Sequence, residues 1–558
     1  MKRKASLWLA VGTIISLVWS SALPVGARLA TEANAKSQHA YSAALLPIST
    51  NEPTWYDRLH HGSPSTPWTA FAGRGVNSVF GNFVLQSRDL VVQGRGMAVS
   101  FLRTYNSANQ EDGPLGIGWT HSYHTAITNQ TTDSATVRNP DGRLNLFARQ
   151  ADGSYTAPPG VYDTLTRNAD GSAELKLESQ VVYQFDASGK LAAIHDRNGN
   201  AISLTYANGD LSSVTDTVGR SYAFTYDANH HLTKITDPRS REIAFAYTPN
   251  GLLASATDPA DQTTHYTYDA GQRLSALTDA NNHTPLQITY GGDSRVVQQR
   301  DALNNSTTFA YQPAIGQTTV TDPRGASTLY SYDADFRVTS VRDALSKSLS
   351  FTYDSRNNRT AITDRRGNFT SLTYDDRGNV TQVIDAANGA SQFTYDAQNN
   401  LLTARDALQN QTILTYDAHG NLLAVVDALG YPTGFAYDAH GQVTSITDAN
   451  GNVTEPAYDA NGNAIAITDA LTRTTQFAYD TVGRMTGMTD ANLGIFTLDY
   501  DLSDRPTEVV DAADGVTRFT YDAVGNRLSV TDALTRTTQF AYDARNQLVT
   551  VTDADGGV

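Results

Sequence analysis

A tyrosine next to an aspartate pairs a weak acid with a carboxylate, a combination that can serve acid–base chemistry. This chain carries the pair at Tyr332–Asp333, Tyr353–Asp354, Tyr374–Asp375, Tyr395–Asp396, Tyr416–Asp417, Tyr437–Asp438, Tyr458–Asp459, Tyr479–Asp480, Tyr521–Asp522 and Tyr542–Asp543. Tyr500–Asp501 belongs to the same series, and every step is 21 residues. A catalytic pair is needed once. A pair repeated at fixed spacing reads as structure: tyrosine offers an apolar body with a hydroxyl that can reach a partner, and aspartate closes turns by accepting backbone hydrogen bonds.

Two other groups invite a chemical reading. The segments beginning at Asp448 and Asp459, both Asp-Ala-Asn-Gly-Asn, look like the start of calcium loops. They lack the distal glutamate that completes such a loop, so calcium is the weaker reading. His121 and His124 are close, but three apart on a strand they should face opposite sides, a poor metal pair. His121 is read as a histidine packed near Trp119, and His230-His231 as a solvated turn. No catalytic residue, cofactor or metal ligand is assigned, and the chain is expected not to be an enzyme.

The elements that carry these residues follow from the repeat. In VTRFTYDAVGNRLSVTDALTR (residues 516–536), Phe519 and Tyr521 alternate with Arg518 and Thr520, which marks a strand. Asp522–Asn526 reads as a turn, with Asp accepting backbone bonds and Gly supplying positive φ. Leu528 and Val530 should share the apolar face of a second strand, and Asp532-Ala533-Leu534 opens a second turn. Apolar positions alternate instead of recurring at three and four, so a helix is excluded. The predicted unit is a β-hairpin, marginal alone, so successive hairpins must pair into one long antiparallel sheet that twists and curls. The fold class is all-β. The stretch TDALTRTTQFAYD occurs at both 468–480 and 531–543, three units apart, which fits duplication of repeats.

Earlier repeats decay. Tyr311 and Tyr290 are followed by Gln312 and Gly291, Tyr247 by Thr248, and the register is regular from about Tyr206. The array is placed at 151–558, with a small β domain at 76–150 and a low-complexity linker at 28–75.

Net charge is −16 and the pI is near 5.1, against a nucleic-acid partner. Met1-Lys2-Arg3-Lys4 and the apolar run at 7–19 read as a signal peptide, cleaved after Ala27, or after Ala35 as the alternative. No second apolar stretch has membrane length, so no span is expected after signal removal, and the predicted location is secreted or at the cell surface. There is no cysteine, hence no disulfide.

The Tyr-Asp repeat, together with GNFVLQSRDLVVQGRGMAVSFLRTYNS and GPLGIGWTHSYH within 81–124, resembles the Rhs family of YD-repeat proteins. Arg103–Ser107 and Gly116–Trp119 carry much of the match. The resemblance implies a β-shell related to the shells of insecticidal toxin complexes and of teneurins. It also implies a C-terminal toxin or cargo as partner. The alternative is a surface adhesin that binds a carbohydrate or a receptor. The family's end-of-shell Asp-Pro-x-Gly-Leu segment is not found, and a sheet ending mid-unit is expected to fray or associate at 540–558.

Overall fold

The computed structural model describes His60, Gly62, Ser63 and residues 65–558. The signal peptide, its Ala27 cleavage site and most of the 28–75 linker lie outside the described residues. From His60 onward the lead-in packs into the fold. The His60 ring bonds the Leu144 carbonyl at 2.8 Å, and Trp68 is buried.

Nearly every element is a strand. Short sheets come first: Val84–Val92, Val99–Asn106 and Trp119–His121 form one, and Ala126–Gln130 through Tyr155–Thr156 form another of four strands. The domain boundary expected near 150 falls inside this second sheet, in the turn between Leu144–Arg149 and Tyr155–Thr156. A single 38-stranded antiparallel sheet then runs from Thr164–Arg167 to Leu548–Thr552, each strand paired with its neighbour in sequence. Neighbour-only pairing is what a chain of hairpins dictates, since each hairpin can satisfy its edges only against the next.

The regular unit contains a device that alternation alone conceals. Phe519 pairs with Val530 and Thr520 with Ser529, but Tyr521 pairs with Arg527. Leu528 is therefore the extra residue of a β-bulge and is exposed, so it does not share the face of Val530. The same register shift precedes Tyr353, Tyr374, Tyr395, Tyr416, Tyr437, Tyr458, Tyr479 and Tyr542. A bulge strengthens local twist, and one per hairpin makes the sheet coil instead of lying flat. Where Tyr311 lacks its aspartate, the bulge is absent and a 3-10 turn at Pro313–Ile315 replaces the Asp turn.

The coil brings the two edges of the ribbon together. Turns from the first repeats meet turns between 203 and 267 residues further on. Asn198 bonds Asn421, Asn200 the His440 carbonyl, Asp258 accepts from Ser503, Asn281 donates to Asp522, and Asn546 to Asp279. In each of these contacts a turn that follows a Tyr strand sits on a turn from the opposite edge. The sheet thus completes more than one superhelical turn and rests on itself.

Candidate functional site: the tyrosine–aspartate ladder and the docked leading domain

The Tyr-Asp residues form two ladders. From Tyr206 onward, most tyrosine hydroxyls of the series donate to a carbonyl fifteen residues earlier: Tyr353 to Val338, Tyr374 to Arg359, Tyr395 to Val380, Tyr416 to Leu401 and Tyr437 to Leu422, at 2.8–2.9 Å. Tyr479, Tyr521 and Tyr542 do the same to Ala464, Pro506 and Arg527. The accepting residue is the one that pairs with the preceding tyrosine, as Leu401 pairs with Tyr395. Each hydroxyl therefore ties its hairpin to the one before. Burial pushes the Tyr395, Tyr416 and Tyr437 hydroxyls up to about 12, which keeps the donating proton in place. Tyr332 is buried against Val338 and Phe80 in a separate small core, and Tyr458 is half-buried.

The aspartates close the turns. Asp522 Oδ1 accepts the backbone N–H groups of Val524 and Asn526, and Oδ2 accepts the Asn526 amide. Asp333, Asp354, Asp375, Asp396, Asp417, Asp438, Asp459, Asp480 and Asp543 use Oδ1 in the same way, taking the N–H four residues on. At Asp448 and Asp459, the segments that resembled calcium loops, these carboxylates are engaged by their own turns. Where Tyr247 is followed by Thr248, the threonine hydroxyl takes over, accepting from Leu252 N–H at 3.0 Å.

The histidines differ from expectation. The chain turns after Trp119–His121, with His124 N–H bonded to the His121 carbonyl, so the two rings stack at 5.7 Å instead of diverging. Both are buried. Burial, then Arg138, holds His121 down to about 3 and His124 well below the usual imidazole range. His230 is exposed, but His231 is buried and stacks on Tyr247 at 4.7 Å. Nothing in local spacing marks that contact, because Tyr247 lies one hairpin away.

Sequence reasoning also missed Arg103 as an anchor. It is 2 % exposed, forks onto Asp89 at 2.5 and 2.8 Å, and lies over Trp119, Phe245 and Tyr266 at 5.2–5.7 Å. Its Nη1 donates to the Tyr266 hydroxyl at 3.2 Å. A buried cation surrounded by a carboxylate and three aromatic rings joins the leading domain to the array. Backbone contacts repeat the joint. Val338, Val296 and Leu232 donate their N–H groups to the carbonyls of Trp68, Gly81 and Pro114, and Leu274 N–H to the Tyr105 hydroxyl. Each donor sits at the position that pairs with a tyrosine across the bulge. Among the described residues, no helix is long and apolar enough to cross a membrane.

A coiled ribbon of bulged hairpins, laced by tyrosines and carrying a docked leading domain, defines a YD-repeat shell protein. The teneurin YD-shell family model matches residues 172–312, 297–388 and 381–557, and the chain belongs to that family. A domain of unknown function matches residues 73–147. In fold the chain is similar to a chain of the Photorhabdus luminescens Tc holotoxin pore, at 14% identity and a TM-score of 0.51, covering 82% of this chain and 27% of that one. A TcdB2-TccC3 crystal structure gives 15% identity, a TM-score of 0.48, and coverage of 81% and 28%. In sequence it is 31% identical over 165 residues to the tRNA nuclease WapA of Bacillus subtilis (strain 168). That match spans 29% of this chain and 7% of the relative.

Proposed function

We propose that this chain is a non-enzymatic wall segment of a secreted or cell-surface YD shell, which encloses and delivers a C-terminal toxin or other cargo. The carrying observation is the turn-on-turn seam: a sheet that coils onto its own edge builds a continuous curved wall. The fold likeness to a chain of a Tc holotoxin pore supports the enclosing role. The partial match to a tRNA nuclease fits a scaffold that accompanies different effector domains. Export rests on the basic and apolar segments before Ala27. The test attaches a reporter polypeptide after Val558 and measures its digestion by protease. Protection that disappears when the seam is mutated supports enclosure. Digestion at the rate of the free reporter overturns it. Electron microscopy of the same sample should show a curved β-wall, and a flat sheet would sink the wall reading.

A further inference from the structure

A cleft of about 340 Å³ lies where the leading domain meets the hairpins around Tyr206 and Tyr226. Its size suits a monosaccharide-sized ligand. His121 and Arg138 line it from the leading domain. Both are at least nine-tenths buried, and each keeps a donor that no protein atom takes. The His121 Nδ1 accepts the Tyr123 N–H, which puts the hydrogen of the neutral ring on Nε2, and that nitrogen has no partner. Arg138 uses Nη1 on Glu111 at 2.7 Å and on the His124 ring, leaving its Nε–H unpaired. A buried N–H without an acceptor is costly, so two of them on residues that line one cleft point to a ligand acceptor.

The rest of the cleft has the opposite character. Tyr206 and Tyr226 line it from the array, and Asp112 and Asp210 stand there with Lys190. Aromatic faces suit the C–H surface of a sugar ring, and carboxylates accept hydroxyl hydrogens. We propose that this cleft is a binding site for a carboxylate-bearing sugar of the hexuronate class. The carboxylate faces Arg138 Nε and His121 Nε2, and the ring lies along the tyrosines. The site joins the leading domain to the array and does not depend on the cargo reading.

The charged and imidazole groups that line the cleft beside His121 and His124 are Arg138, Glu111, Asp112, Lys190, Asp210, His230 and His231. Burial and Arg138 keep His121 neutral, and its Nδ1 already accepts the Tyr123 N–H, so it serves a bound anion as an Nε2–H donor without taking up a proton.

Calorimetry on the full chain uses D-glucuronate and D-galacturonate as probes, with D-glucose and acetate beside them. At least one uronate should bind with a Kd below about 1 mM, at least tenfold tighter than glucose or acetate. Arg138→Lys, which keeps the charge and removes the Nε–H, should weaken binding at least tenfold. Acetate or glucose binding as well as the uronates, no saturable binding, or unchanged binding by a folded Arg138→Lys would each overturn the proposal. If that variant does not fold, ring NMR of ¹³C-histidine wild-type protein decides. Uronate must shift the His121 and His124 resonances and leave His419 unmoved, and unmoved His121 and His124 refute the site.

Discussion

Arg241 and Asp504 are separated by 263 residues of chain, yet Arg241 Nη1 donates to Asp504 Oδ1 at 2.5 Å. The same guanidinium holds Asp237 in its own turn through Nε at 2.8 Å, and reaches the Leu502 carbonyl at 2.9 Å. Asp504 also takes Arg484 from the neighbouring hairpin at 2.7 Å. One arginine thus closes its own turn and fastens the overlying coil. Burial alone would pull its pKa down, but Asp504 and Asp237 outweigh it and hold it above the ordinary arginine range. Arg241→Ala should cost about 3 kcal/mol, because Asp237 is left buried without its cation. Asp504→Ala should cost about 1 kcal/mol, since Asp504 is partly exposed and screened. The double mutant should reveal a coupling of about 1 kcal/mol. Hydrogen exchange should rise in both turns, 237–241 and 501–505. Exchange confined to 237–241 would mean that the coils do not support each other.

Tyrosine hydroxyls should contribute as links between hairpins. Tyr416→Phe removes the donor to the Leu401 carbonyl and nothing else. A loss of about 1 kcal/mol is expected, with faster exchange in the hairpins spanning 401–422 and little change beyond them. Tyr416→Ala should cost about 2 kcal/mol more through lost ring packing. If Tyr416→Phe left local exchange unaltered, the hydroxyl ladder would be incidental to stability.

Much of this architecture is legible in single repeats, and the reasons for success and failure are physical. Asp522 through Asn526 spells a turn because Asp, Gly and Asn each have a local job there, and local chemistry is what a sequence displays. Leu528 was misplaced because alternation assumes an unbroken ladder, and a bulge shifts the count by one. His121 and His124 were separated by the same assumption, since the strand ends at His121 and the chain turns. Contacts across the coil, such as Asn281 with Asp522, leave no trace in spacing. Both residues already look satisfied as turn formers, so their second role is invisible. Arg103 stood inside the segment that carried the resemblance, but its partners Phe245 and Tyr266 come from hairpins far along the chain.

Acid should loosen the joint between leading domain and array before it affects the array itself. His121 is held at about 3 and His124 also well below its ordinary value, so the unfolded chain binds more protons than the folded one between pH 6.5 and 3. Stability is fully present above pH 6.5 and falls as pH drops, with a slope of up to about 1.4 kcal/mol per pH unit for each histidine. The turn aspartates act lower. Asp396 and Asp417, whose Asn400 and Asn421 bonds outweigh modest burial to hold them below the usual carboxylate range, contribute above pH 3.8 and lose that contribution below it. Melting curves from pH 7.5 to 4.5 should therefore decline. His121→Phe, which keeps the stack on Phe101, should flatten part of that decline. A wild-type melting temperature constant over this range would show that the buried histidines are not coupled to folding.

Each copy of the duplicated stretch places a β-branched residue in left-handed backbone. The turn closed by Asp532 places Thr535 at φ 62, and its copy places Thr472 at φ 61. At this position some units have glycine, as Gly430 and Gly451 with φ 85 and 84, and others a residue unbranched at Cβ, as Leu493 and Asp514 with φ 68 and 58. A β-branched residue in left-handed backbone is disfavoured by roughly 1–2 kcal/mol. Glycine removes that cost but loses more chain entropy, roughly 0.5–1 kcal/mol. Thr535→Gly should therefore stabilise its hairpin by about 0.5–1 kcal/mol, with the exposed Thr535 hydroxyl bond to the Leu534 carbonyl a small loss. Gly525→Ala, at φ 91 in the adjoining Asp522 turn, should destabilise by about 1–2 kcal/mol. Exchange rates across 516–542 read both effects. Opposite signs for the two substitutions locate the strain in the turn backbone, and equal signs would place it elsewhere.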